Sequence, residues 1–144
     1  MAEPRDHPSH LEIRWDVEKW MLLRLTNFGT QLSYGPGDTI IRAGEPGDGL
    51  YLILSGAAKV VRDTAGEGPK TVNTLGPFRS FGEISLLVDQ PRMASVVATG
   101  ALRCVKLTRG QLAQVEEKEP KLALRLYRLV AESLARTLLV ATPP

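Results

Sequence analysis

Apolar and polar positions along the chain fall into distinct textures. From Gly29 to Leu107, short β-rich runs alternate with glycine and proline. The runs are Thr39–Arg42, Leu50–Leu54, Ala58–Arg62, Thr71–Leu75, Ala94–Thr99 and Leu102–Leu107. Turn signals such as Gly35-Pro36-Gly37 and Gly44-Glu45-Pro46-Gly47-Asp48-Gly49 separate them. Short strands at regular intervals predict a sandwich, jelly roll or barrel. One segment departs from this. Gly82-Glu83-Ile84-Ser85-Leu86-Leu87-Val88 opens on glycine and closes on Asp89-Gln90-Pro91-Arg92, which fits one or two helical turns better than a strand.

Helical spacing takes over at both ends. Trp15, Lys19, Leu22 and Leu23 recur within Trp15 to Leu25 as a helix requires, and Trp15 and Trp20 are expected to pack that helix on the roll. Residues 1–14 are polar, carry His7 and His10, and read as a loose leader. After Leu107, Thr108-Arg109-Gly110-Gln111 has the form of a capping box and opens a helix to about Glu117. Pro120 suits the first turn of another helix, running to about Leu139. Its charged stripe is narrow (Lys121, Arg125, Arg128, Glu132, Arg136), so its apolar arc is wider than one contact with a barrel needs. The extra face is expected to cover a ligand, a second copy or another domain. The fold class is therefore α+β: a jelly-roll-like β-roll with flanking N- and C-terminal helices. Residues 15–144 form one domain, with the roll at about 29–107 and the C-terminal helices at about 108–139.

Bulk composition narrows the function classes. The chain has 144 residues, 43% of them hydrophobic and 24% charged, as expected of one globular domain. A net charge of +2 argues for neither a nucleic-acid nor a membrane surface. A lone cysteine, Cys104, leaves no internal disulfide framework and reads as a small buried apolar residue. No apolar run approaches the ~20 residues of a membrane span. Nor does the N-terminus have the form of a signal peptide, so a cytoplasmic location is expected.

The candidate chemistry lies in residues 81–96. A helix N-terminus presents unpaired N–H groups to an anion, and Gly82 lets a ligand approach the backbone. Arg92, nine residues beyond Glu83, can return its planar fork to the same place, where a guanidinium suits two phosphate oxygens. Glu83 can accept a hydrogen bond from a sugar hydroxyl. A carboxylate so close disfavours a di- or triphosphate, so a singly charged phosphodiester on a sugar fits best.

Gly82-Glu83-Ile84-Ser85-Leu86, a spacer, then Pro91-Arg92-Met93-Ala94 resembles the phosphate-binding cassette of the cyclic-nucleotide-binding domain family. That family includes the catabolite activator sensor domain and protein kinase A regulatory subunits. Pro36-Gly37-Asp38-Thr39-Ile40, Gly47 to Gly56, and Glu119-Pro120-Lys121-Leu122-Ala123 extend the likeness over about Leu32 to Leu138. The resemblance implies a cAMP or cGMP ligand, with no further cofactor. It implies that Phe81, Gly82, Glu83, Ile84 and Ser85 line phosphate and ribose. Arg92 would pair with the phosphate beside Met93 and Ala94. Val72 and Leu75 would touch the base, and Tyr127 or Val130 would close over it. Phe78 stands where the family often has glycine. Met93 stands where many cGMP-selective members carry threonine, which tilts the expectation toward cAMP.

Plainer readings stand beside these. The glycines at 44, 47, 49 and 56 read as turn chemistry, and Tyr127 alone reads as packing. An enzyme is not expected, because no nucleophile–base pair is visible and both histidines precede the roll. The main expectation is a sensor that relays binding through its last helix to an unidentified effector. A homodimer through that helix is a further expectation, and direct DNA binding is not. The alternative is a nucleotide-silent domain of the same fold that acts as a protein-interaction module.

Overall fold

The computed structural model describes residues 19–141 except residue 89; the expected leader, Trp15 and the start of the first helix lie outside the described residues. Helix α1 is described over residues 19–25. The roll follows as β1 (Thr30–Tyr34), β2 (Thr39–Ile41), β3 (Gly49–Ser55), β4 (Ala58–Thr64), β5 (Gly68–Leu75) and β6 (Ser80–Phe81). Then come α2 (Ile84–Leu87), β7 (Ser95–Ala98), β8 (Leu102–Thr108), α3 (Arg109–Lys118) and α4 (Pro120–Ala141). The strands form two four-stranded antiparallel sheets, β1-β8-β3-β6 and β2-β7-β4-β5.

Burial explains which runs were legible. β3 is covered on both faces and reads as an unbroken apolar run. Tyr51 and Ile53 point into the roll with Phe81, Val96 and Cys104. Leu50 and Leu52 point outward against Leu22, Leu25, Leu112, Val115 and Leu126 of the helices. One sheet thus serves two cores, and α4 rests on the back of the roll. β1 and β6 escaped the sequence reading because β1 is largely exposed on an edge and β6 is two residues long.

The C-terminal pair begins as expected. Thr108 Oγ1 accepts from the Gln111 amide at 3.2 Å, and Gln111 Oε1 accepts from the Thr108 amide at 2.9 Å, so the capping box is complete. The placement of Trp20 differs from the expectation. It is 52% exposed and lies beside Arg24, whose guanidinium carbon is 5.3 Å from the ring centroid. Met21, Leu22 and Leu25 make the buried face of α1 instead, because they lie together on the side facing β3 and β8.

Candidate ligand site

Between the cassette and the β4–β5 strands lies a cavity of about 510 Å³. Phe81, Gly82, Glu83, Ile84 and Ser85 line it from one side, and Arg92, Met93 and Ala94 from the turn that returns. Val72 and Leu75 line the opposite wall. Tyr127 and Val130 do not line it. Val130 is buried in the core between α4 and the outer face of the roll, and the Tyr127 hydroxyl donates to Glu116 of α3. The early turns of α4 pack on α3 and β3, so the helix reaches the cavity only farther along, through Ser133.

Arg92 is held from several directions. Its Nη1 donates to the Gly82 carbonyl at 2.9 Å and its Nη2 to the Gly49 carbonyl at 3.1 Å. Its backbone N–H donates to Glu45 O, and its carbonyl accepts from the Gly44 amide, both at 2.8 Å. The Tyr51 ring, stacked on Phe81 with centroids 5.0 Å apart, lies 6.0 Å from the guanidinium carbon. Burial lowers the Arg92 pKa from its ordinary value, against the opposing pull of Tyr51, Asp48 and Glu83. Two of five N–H donors are committed to carbonyls, which leaves donor capacity for an anion.

Two glycines make this geometry possible. Gly82 has φ +80°, and a Cβ there would stand 2.7 Å from Arg92 Nη1. At Gly47 a Cβ would fall 1.9 Å from Ser85 Oγ and 2.8 Å from Arg92 Cζ. The turn at 44–49, read from sequence as turn chemistry, is thus the clamp that seats the arginine.

Glu83 precedes α2 but its side chain does not cap that helix. Its Oε2 accepts from Ser80 Oγ at 2.8 Å and faces Ser133 Oγ at 3.5 Å. Burial raises its pKa; the hydrogen bonds from Ser80 and Ser133 and the charge of Arg79 oppose that rise. α2 is one turn long, so few peptide dipoles add up at its start. The cationic side chains near the cassette are therefore Arg92 and Arg79, which lines the same cavity and acts on Glu83. Arg109 Nη2 donates to Ser85 O at 2.5 Å, tying α2 to the first turn of α3.

The sequence reading missed Arg62, Asn73, Arg79, Ser80 and Ser133, all of which line the cavity. Two of them left a signal. Ser133 is a polar residue on the stripe Leu122, Leu126, Leu129, and Arg62 continues the inward alternation Ala58, Val60.

A family model described as "Cyclic nucleotide-binding domain" matches residues 31–119. The Thermus thermophilus catabolite activator protein is 30% identical with a TM-score of 0.71. That match covers 83% of this chain and 56% of the Thermus protein, so the chain spans little more than half of that relative. The N-terminal domain of a Streptomyces coelicolor A3(2) transcriptional regulator is 27% identical, with a TM-score of 0.68 over 87% of this chain and 89% of that one. A cyclic nucleotide-binding domain from Methylobacillus flagellatus is 26% identical, with a TM-score of 0.66 over 90% and 87%.

Proposed function

Because this chain belongs to the cyclic nucleotide-binding domain family, we propose that it is a sensor that binds a 3′,5′-cyclic nucleotide in the cavity beside Arg92. The observation that carries this reading is the convergence of Gly82, Glu83 and Arg92 on one cavity, with Arg92 clamped there by two backbone carbonyls. The cyclic phosphate pairs with Arg92 and the ribose hydroxyl donates to Glu83. On the cassette side Met93 offers no hydroxyl to a guanine, so the contact that many cGMP-selective members make there is missing.

Binding couples to the helices by competition. A ribose hydroxyl on Glu83 takes the acceptor that Ser133 of α4 now approaches, and any shift of α2 pulls on Arg109 through Ser85. Two states of the C-terminal helices, biased by ligand, make a switch read by an effector protein or domain. A homodimer through α4 belongs to this proposal, since Leu124, Leu138 and Leu139 leave its apolar face exposed. We take the module to be regulatory rather than enzymatic, to bind no DNA itself and to work in the cytoplasm. Among the described residues no helix is long and apolar enough to cross a membrane.

Calorimetric titration with cAMP and cGMP tests the reading. One-site binding is expected, and Arg92→Lys should weaken it at least about tenfold, because the planar fork is lost while the charge remains. Arg92→Ala should also lower the melting temperature, since two carbonyls lose their donor. No heat and no thermal shift with either nucleotide would favour the nucleotide-silent alternative. One observation speaks for that alternative: Arg92 and Glu83 already have protein partners.

A further inference from the structure

The wall of the cavity opposite the cassette has a chemistry of its own. β4 and β5 pair with a register shift between Val60↔Asn73 and Val61↔Thr71, so Val72 is an extra residue on β5. A bulge of this kind re-aims side chains, and here both neighbours, Val72 and Asn73, line the cavity. Across the pairing, Val60 and Arg62 line it from β4. Asn73 Oδ1 accepts from the Thr74 amide at 2.9 Å, which turns the oxygen to the backbone and leaves the amide NH₂ to donate. Arg62 has donors only, and among the described residues it makes no ion pair or side-chain hydrogen bond. The residue across from it, Lys70, is already paired with Glu67.

Val60, Val72 and Leu75 supply an apolar wall for a ring, and Arg62 and Asn73 supply a polar edge of donors without a free acceptor. Guanine presents two acceptors on one edge, O6 and N7, whereas adenine presents N7 beside an amino donor. We infer that Arg62, with Asn73 beside it, is the base-reading residue of this cavity and selects guanine over adenine by hydrogen bonding to O6 and N7. This rests on the cyclic-nucleotide reading of the cassette and deepens it. The missing hydroxyl at Met93 removes one favourable contact with guanine and creates none with adenine. An adenine amino group set against Arg62 would instead be left facing donors.

The test is calorimetry of the full chain and of Arg62→Ala and Arg62→Lys with cGMP, cIMP and cAMP. Hypoxanthine in cIMP keeps O6 and N7 but lacks the guanine 2-amino group, so cIMP should bind within about threefold of cGMP, and both more tightly than cAMP, a good bidentate contact discriminating by tenfold or more. Arg62→Ala should lower cGMP and cIMP affinity about tenfold or more and change cAMP affinity less than about threefold. Arg62→Lys should restore little, because a point charge cannot span two acceptors. The inference is overturned if the wild type binds cAMP more tightly than cGMP, or if Arg62→Ala weakens all three alike or none. In each of these outcomes the cassette reading stands. Binding of no nucleotide by the wild type would overturn both. Arg62 is exposed on a strand, so an unchanged melting temperature in both variants is expected and separates recognition from folding.

Discussion

Glu83 concentrates the conflict between stability and function in one side chain. Its carboxyl is drawn into a partly closed site, and burial raises its pKa above the ordinary 4.5. Above that ordinary value the unfolded chain releases the proton while the folded chain still holds it. Stability therefore falls as pH rises through the window between the two values, then stays lowered above it. Glu83→Gln removes the ionisable group. The variant should lose that slope, melt no lower than wild type at pH 7, and bind nucleotide more weakly. Thermal unfolding against pH, beside titration, checks all three; a lower melting temperature at pH 7 would contradict the account. Cys104 is the inert counterpart: burial pushes its thiol up to about 11, so it lacks thiolate at neutral pH.

The loop from β5 to β6 shows strain held by packing. Phe78 has φ +67°, a left-handed conformation costly for a residue with a Cβ. Its ring packs on the core between the helices and β3, which offsets that cost, and its amide donates to Ile53 O at 2.8 Å. The family's frequent glycine at this place thus has a backbone reason here. Phe78→Ala keeps the strained Cβ and loses the ring, whereas Phe78→Gly loses both. Denaturant unfolding should find the glycine variant more stable than the alanine variant by about 1 kcal/mol, the reverse of their usual order. Equal or inverted stabilities would show that the loop relaxes its backbone once the ring is gone.

The molecule as a whole couples two cores through one sheet. β3 and β8 present one face to the interior of the roll and the other to α1, α3 and α4. The cavity opens at the edge of the inner core, and α4 touches it through Ser133 while its later turns leave Leu138 and Leu139 67% and 76% exposed. If that face joins two copies, replacing both leucines with glutamate should convert a dimer to a monomer in sedimentation velocity without lowering nucleotide affinity. A wild type that is monomeric with and without nucleotide would remove the dimer from the proposal.

Local chemistry determined much of this protein in the sequence itself. Short β-rich runs between glycines and prolines specify a β-roll, because strand propensity and turn chemistry act over a few positions. The Thr108–Gln111 capping box marks a helix start for the same reason. The Gly82–Arg92 spacing marked the cassette, since Glu83 and Arg92 both lie within one short excursion of the chain. Tertiary structure alone decided what comes from distant strands. Arg62 shares its side of β4 with Ala58 and Val60, but its place beside Asn73 across from the cassette comes from the bulge and the sheet pairing, and Gly47 and Gly49 seat Arg92 only because the 44–49 turn folds beneath it. The α4 residue that lines the cavity is Ser133, while Tyr127 and Val130, expected over the base, lie against α3 and in the core. Helical periodicity tells which residues share a face, but where that face crosses the roll depends on how far α3 and the core carry the helix before it reaches the cavity.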